Sequence, residues 1–283
     1  MKISNLTKEI KGLDGYPNSL RRHLVRGFKG SAVLFVIQRL FTFLLAVVLG
    51  RILGAEGFGV YSTAMAVILL TGTLVTNGIP RVMLRFVPLY SVEKEWGLLR
   101  GMMIGINRVS IVASISLITV LGVGAVIFSS SYDESSLYVF WIGLVLIPLV
   151  GISNLRSEVV RGLHHILAAR MPEVVKSGLV LLIILLFWAL SSDTALSPSH
   201  AMTAQVIAAG IALIVSSVIF YRYQPKEIKG IKPNYDMRKW LRSIGPLTLV
   251  SAFGIIAAQT DIIMLSAIKG AEPAGIYRIA ERL

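Results

Sequence analysis

Arginine and amide side chains lie inside the apolar stretches of this chain, where a charge is costly to bury. Arg39, next to Gln38, falls about one helical turn below the middle of the first stretch. If these stretches cross a membrane, an ionisable side chain needs water or a partner, so each one is a candidate site. Guanidinium groups bind phosphate and carboxylate oxygens bidentately, and these residues therefore predict a cationic vestibule for an anionic group. The further candidates, at the ends of the next two stretches, are Asn77, Arg81, Arg85 and Arg108.

Each of these cations also has a structural explanation. Arg39 could extend its guanidinium to the membrane surface, or pair within a helix bundle for stability alone. Arg81, Arg85 and Arg108 lie nearer the predicted interface, where positive charges commonly anchor a membrane protein. The sequence leaves both explanations open for every one of them.

Asp261 is the only acid that the sequence predicts within an apolar core. It could pair with an arginine in one conformation and release it in another, or carry a coupling proton or sodium ion. A fixed ion pair or a hydrogen bond between helices is the alternative. Arg51, near the far end of the first stretch, is the second candidate for coupling or gating.

The composition identifies the elements that must position these residues. The mean hydropathy is +0.74, with 55% hydrophobic and 15% charged residues, whereas soluble domains are about a quarter charged. Apolar runs of the length that a membrane helix needs, ~20 residues, recur along the chain. We therefore expect an all-α polytopic membrane protein. The predicted segments are 31–53, 60–79, 106–128, 137–153, 174–190, 201–221 and 245–268, with a separate interfacial helix over 155–170.

The net charge of +13 is distributed by loop. Of the 28 Lys and Arg, 23 lie in 1–30, 80–108, 154–176 and 221–243. The loops 54–59, 129–136 and 191–199 hold none. This alternation predicts a multi-pass protein of the cell membrane whose N-terminus and basic loops are cytoplasmic. It also disfavours nucleic acid as a partner, because the charges are not gathered on one soluble surface.

A repeat divides the chain. GAEGFGVY at 54–61 returns as GAEPAGIY at 270–277, and eight of sixteen residues are identical between 49–64 and 265–280. The repeat predicts one complete six-helix lobe and the start of a second, parallel lobe that is cut off within its eighth helix. We expect a basic N-terminal segment at 1–29, the first lobe at 30–221, a cytoplasmic linker at 222–243 and the second lobe from 244 to 283.

Five sequence motifs occur in a characteristic order along the chain. RILGAEGFGVYSTA, GIPRVMLRFVPLY, RGLHH, SIGPLTLV and QTDIIMLSAIKGAEPAGIY follow one another along residues 24–283. This set resembles the polysaccharide-export flippases of the multidrug/oligosaccharidyl-lipid/polysaccharide exporter superfamily. The resemblance implies two six-helix lobes that work by alternating access. It also implies a cargo of oligosaccharide linked to a polyprenyl phosphate or pyrophosphate, moved from the inner to the outer leaflet, with H⁺ or Na⁺ as a candidate coupling ion.

Two other functions compete with that of a flippase. A drug/cation antiporter of the same superfamily would want acids in its first lobe, and the sequence predicts none in the apolar core of the first six helices. A membrane enzyme that assembles polysaccharide would need a catalytic constellation, and the short outer loops offer no His–acid arrangement. We therefore predict a transporter and not an enzyme. No cofactor or metal is predicted, since the chain has no cysteine and the adjacent His164 and His165 face apart.

Overall fold

The computed structural model describes residues 18–127, 133–190 and 196–282. Most of the predicted N-terminal segment, residues 1–17, and the centres of two predicted outer loops lie outside this part of the chain. The α-helices are α1 Asn18–Thr71, α2 Ile79–Val92, α3 Trp96–Ile127, α4 Glu134–Leu144, α5 Leu146–Gly162, α6 Ile166–Leu190, α7 Pro198–Tyr223, α8 Met237–Lys269 and α9 Ala271–Arg282. A π-helical segment, Leu74–Gly78, links α1 to α2, and a 3₁₀ turn, Lys226–Ile228, follows α7.

Long apolar helices dominate this architecture, as the composition predicts. Within the described ranges, six helices are long and apolar enough to cross a membrane. Their backbone polar groups are satisfied within each helix, which is the condition for crossing a hydrocarbon layer. The prediction of an all-α polytopic membrane protein is thereby confirmed. The six are Gly30–Thr71, Trp96–Ile127, Glu134–Gly162, Ile166–Leu190, Pro198–Tyr223 and Met237–Lys269.

A single glycine joins the first two predicted segments. Gly54 has φ 71° and ψ 177°, a conformation that is essentially restricted to glycine, and helix resumes directly after it. Residues before and after Gly54, such as Leu49 and Phe58, line one small cavity, so the two arms of α1 pack side by side. Gly270, its equivalent in the repeat, has φ 90° and ψ −178° and separates α8 from α9. The sequence repeat is therefore also a repeat of backbone geometry at these two residues.

The segment between α7 and α8 lies against α3. The backbone N–H of Asn234 donates to the carbonyl of Gly97 at 2.9 Å, and Gly101 provides the space for this approach. At the start of α8, the fully buried Trp240 donates its indole N–H to the hydroxyl of Tyr90 at 3.1 Å. Buried indole and phenol groups need such partners, so this pair fixes α8 against α2. The middle of the predicted linker 222–243 is thus packed on the helix bundle.

Candidate binding cavity

The π-helical segment Leu74–Gly78 sets the position of the first polar groups. A π turn widens the helix, and the carbonyl of Thr76 accepts a hydrogen bond from Asn154 Nδ2 of α5 at 2.7 Å. Asn77 Nδ2 donates to the hydroxyl of Thr76 at 2.9 Å, and that hydroxyl donates to the carbonyl of Gly72 at 3.0 Å. Single π turns inside α-helices are rare and frequently mark functional sites. Here the π turn places Thr76 and Asn77 in the wall of one cavity, which Asn154 of α5 also lines.

This larger cavity has a volume of about 550 Å³ and is enclosed mainly by α2, α5 and α6. Four cationic side chains and two acidic ones line it, among several neutral polar groups. The cations therefore outnumber the acids in a site walled by apolar helices, where charge interactions are stronger than in water. The charged residues are Arg81 and Arg85 of α2, Glu158 and Arg161 of α5, and Glu173 and Lys176 of α6.

Only one of these cations is neutralised directly by a neighbour in the described part of the chain. Arg161 Nη1 lies 2.7 Å from Glu158 Oε1, and the Glu158 side chain is 15% exposed. The second carboxylate oxygen of Glu158 is buried and has no hydrogen-bond partner among the described residues. Arg81, Arg85 and Lys176 form no ion pair within the same ranges. The positive charges of Arg81 and Lys176 are therefore available to an anion that enters the cavity, whereas the guanidinium carbon of Arg85 lies 5.4 Å from the centre of the Phe86 ring.

A smaller cavity of about 250 Å³ adjoins the larger one, with Glu173 and Lys176 lining both. Its other walls come from the two arms of α1, from α7 and from α9. The polar residues that line only this smaller cavity are Gln38, Thr42, Tyr61, Ser62, Ser177, Gln205 and Arg278. In the described ranges, no three His, Asp or Glu side chains come together as metal ligands in either cavity.

A family model described as polysaccharide biosynthesis protein matches residues 24–283. The chain belongs to this family. The polysaccharide family that its motifs indicate is confirmed by this match. No protein among the curated ones matches the chain.

Solved structures show which fold this polysaccharide biosynthesis family member adopts. It is similar to a multidrug resistance MATE family transporter of the MOP superfamily in an inward-facing conformation, at 14% identity and a TM-score of 0.67, covering 87% of this chain and 57% of that one. It is also similar to a ligand complex of the MATE multidrug transporter DinF-BH, at 15% identity and a TM-score of 0.65, covering 96% and 61%. The chain thus spans about three fifths of the length of these two structures.

The predicted site residues separate into two groups in this family member. Asn77, Arg81 and Arg85 line the larger cavity, and Gln38 lines the smaller one. Arg39 is exposed on α1, with its guanidinium carbon 5.1 Å from the centre of the Phe35 ring, and lines neither cavity. A cation over an aromatic face at a helix surface is stabilised without any ligand.

The remaining predicted residues lie outside both cavities. Arg51 and Arg108 are exposed on α1 and α3. Asp261 is exposed on α8 and accepts a hydrogen bond from the hydroxyl of Tyr277 at 2.9 Å. The binding role of Arg108 and the coupling or gating roles of Asp261 and Arg51 stay predictions.

The sequence interpretation missed the charged pairs of α5 and α6. The prediction of a separate interfacial helix over 155–170 is wrong. Helix α5 continues to Gly162, the chain turns at Leu163–His165, and α6 begins at Ile166. His164 adopts φ 67° at this reversal. The sequence predicts no acid in the apolar core of the first six helices, but the Glu158 side chain of α5 is largely buried. Spacing offered a signal, since Glu158–Arg161 and Glu173–Lys176 are both i,i+3 pairs and so each lies on one helix face.

Proposed function

We propose that this protein is a transporter that moves an anionic, lipid-linked oligosaccharide across the membrane. The observation that carries the proposal is the cavity of about 550 Å³ in which four cations meet two acids between apolar helices. A diphosphate would lose its hydration on entering a hydrocarbon layer, at a cost on the order of tens of kcal/mol if nothing replaced the water. Arginine and lysine donors in the cavity would replace it.

The position of the cavity supports loading from one side. Glu158 and Arg161 lie close to the reversal at 163–165, and Arg81 and Arg85 lie on the helix that leads to the reversal at 93–95, at the end of the bundle that carries the basic loops. The predicted topology assigns this end to the cytoplasm. At the opposite end, α1 and α9 touch through Gly59 and Gly275. The arrangement fits a state that is open to the cytoplasmic leaflet and closed to the outer one.

In this proposal the chain works as two lobes. Residues 30–221 form the first lobe, 222–243 the connection, and 244–283 the beginning of the second lobe, while residues 1–29 are a basic cytoplasmic segment. The diphosphate and sugars occupy the cavities, and the polyprenyl tail remains in the bilayer between the lobes. Rocking of one lobe against the other then exposes the cargo to the outer leaflet, with H⁺ or Na⁺ as a candidate coupling ion.

A drug/cation antiporter is the second candidate, and one observation favours it. Glu158 and Glu173 line the larger cavity, and carboxylates are what an organic cation would bind. The excess of cations over acids in the same cavity favours an anionic cargo instead. The two proposals predict opposite effects of removing these charges.

The decisive experiment deletes the native gene and follows lipid-linked oligosaccharide with a probe that reaches only the outer face of the membrane. We expect the precursor to accumulate where the probe cannot reach it, and outer display to return with the wild-type gene but not with Arg81→Gln. Arg242→Gln, at an exposed arginine of α8, is the matched control. Normal outer display in the deletion strain, together with a changed sensitivity to cationic drugs, would favour the antiporter.

A further inference from the structure

The smaller cavity contains a buried arginine. The Arg278 side chain of α9 is 8% exposed. Its Nη1 lies 2.8 Å from Glu281 Oε2, and its Nη2 donates to Gln259 Oε1 at 3.3 Å. These two contacts leave further N–H donors of the guanidinium without a partner among the described residues. Burial of a charge is costly unless its hydrogen bonds are satisfied, so a cavity-lining arginine of this kind is suited to an incoming acceptor.

The rest of the smaller cavity is rich in uncharged polar groups. Gln205 Oε1 is buried and makes no hydrogen bond within the described ranges, and such unsatisfied atoms are rare in native proteins. Ser62 and Thr42 donate their hydroxyl protons to backbone carbonyls of their own helix, which leaves their oxygens free to accept. Tyr61 adds an aromatic ring to the wall. Amides, hydroxyl acceptors and a ring are the groups that sugar hydroxyls and sugar faces bind.

The two cavities share one wall. Glu173 and Lys176 of α6 line both of them, so a ligand bound against Lys176 in the larger cavity can extend directly into the smaller one. In a lipid-linked oligosaccharide the sugars are bonded to the diphosphate, so the two parts of the cargo must lie side by side. The pair of cavities provides two adjoining compartments of this kind.

We propose that the smaller cavity binds the glycan part of the cargo and that Arg278 recognises a negatively charged group, carboxylate or phosphate, on one of its sugars. This inference rests on the proposed function, because it takes the diphosphate to be bound in the larger cavity. The charges of Glu173 and Lys176 in the shared wall sum to zero, although the two side chains form no ion pair in the described ranges. Arg278 is therefore the residue that gives the smaller cavity its preference for an acidic sugar over a neutral one.

The test compares two probes on the full chain purified in detergent. They are farnesyl diphosphoryl glucose and farnesyl diphosphoryl glucuronic acid, which differ only at the sixth carbon of the sugar. We expect wild type to bind the acidic probe more tightly by about ten- to a hundredfold, the range for a hydrogen bond to a charged group. Arg278→Gln should remove this preference, so that the variant binds the acidic and the neutral probe with equal affinity. Retained binding of the neutral probe also shows that the variant is folded.

A purely structural role for Arg278 predicts a different pattern. Glu281→Gln removes the same ion pair without changing a residue that lines the cavity. If Arg278 only holds α9 in place, Glu281→Gln and Arg278→Gln will both lower the melting temperature, and neither will change the ratio of the two affinities. That result would overturn the inference, and so would a wild type without preference. If neither probe binds to wild type, the proposed function itself fails and the inference with it. A third probe, with a phosphate on the sixth carbon of the glucose, is titrated beside these two and distinguishes carboxylate from phosphate as the preferred group.

Discussion

Gly59 and Gly275 occupy equivalent positions in the sequence repeat and make reciprocal contacts. A Cβ at Gly59 would overlap the carbonyl oxygen of Ala271, and a Cβ at Gly275 would overlap that of Ala55. Ala55 and Ala271 are themselves equivalent under the same offset of 216 residues. In a twofold interface, residue i contacts residue j and j contacts i. The contact has the reciprocal form expected where two copies of a repeat meet about a local twofold axis.

We expect Gly59→Ala or Gly275→Ala to push α1 and α9 apart. The new methyl group has a backbone carbonyl in its way, which cannot move as a side chain can, and overpacking of this kind costs about 1–3 kcal/mol. In the proposed mechanism this opens the outer end of the bundle. The chain has no cysteine, so Ser62→Cys gives one reporter at a buried position one turn after Gly59, and its labelling by a membrane-impermeant maleimide should accelerate.

Gly124→Ala is the matched control for both variants, because nothing lies within 4 Å of a Cβ built there. It should leave the labelling rate unchanged. An equal rate in wild type, Gly59→Ala and Gly124→Ala would show that the Gly59–Ala271 contact does not hold this end closed.

Gly54 and Gly270, at the two turns of the repeat, should be sensitive to substitution because of their backbone conformation. Nothing lies within 4 Å of a Cβ at Gly54 or Gly270, so alanine meets no steric obstacle there. Both residues adopt a backbone conformation that is open essentially to glycine, which costs other residues about 1–3 kcal/mol. Gly54→Ala and Gly270→Ala should therefore lower the melting temperature in detergent, whereas Gly124→Ala should not. Unchanged melting of both turn variants would contradict this account of the repeat.

Asn154 should support the larger cavity through the π-helical segment. Its side chain donates to the carbonyl of Thr76, and Asn154→Leu would leave that carbonyl without this donor at a cost of about 1–3 kcal/mol. We expect weaker binding of farnesyl diphosphate, because Thr76 and Asn77 lose their fixed position in the wall. Ser157→Ala changes the same wall without removing this bond and serves as the control. Equal affinities in the two variants would mean that the π turn does not order the site.

Substitution of Arg81 and of Arg39 compares two positions for the anion-binding site: the larger cavity of the structure, and the residue that the sequence predicts first. Arg81 lines the larger cavity without an ion pair in the described part of the chain, so Arg81→Gln should weaken farnesyl diphosphate binding about tenfold or more. Arg39 lies over Phe35 on the helix surface, and Arg39→Gln should have a smaller effect. Both affinities can be measured by titration of the purified protein. A larger loss of affinity with Arg39→Gln would indicate that the diphosphate binds at the first arm of α1.

This contrast shows what the sequence could and could not predict. The helices, the turn at Gly54 and the cationic character of the site follow from apolar run length, glycine placement and the location of arginines. The face that each helix turns towards the cavity does not follow from the sequence. Helix α1 is apolar on nearly every face, and its sequence gives no reason for Arg39 to point outward. The acids of the cavity are hard to find because Glu158 and Glu173 flank a reversal of only three residues, 163–165, whose sequence is also typical of a continuous surface helix.

Glu158 should act as an internal counter-ion that competes with the cargo. Its carboxylate lies 2.7 Å from Arg161 and faces the same cavity as Arg81 and Lys176. Glu158→Gln removes a negative charge that repels an anion and frees the Arg161 guanidinium, so farnesyl diphosphate should bind about tenfold more tightly at low salt. The gain should shrink as ionic strength rises, because added salt screens the partly exposed charges.

Glu134→Gln is the control for this prediction, since Glu134 is an exposed acid that lines neither cavity. It should leave the affinity unchanged at every salt concentration. An antiporter of organic cations would respond in the opposite direction, with Glu158→Gln losing affinity for a cation such as tetraphenylphosphonium and gaining none for the diphosphate. Titration of both ligands into wild type and Glu158→Gln therefore shows whether the cavity binds the anion or the cation, even before the glycan is known.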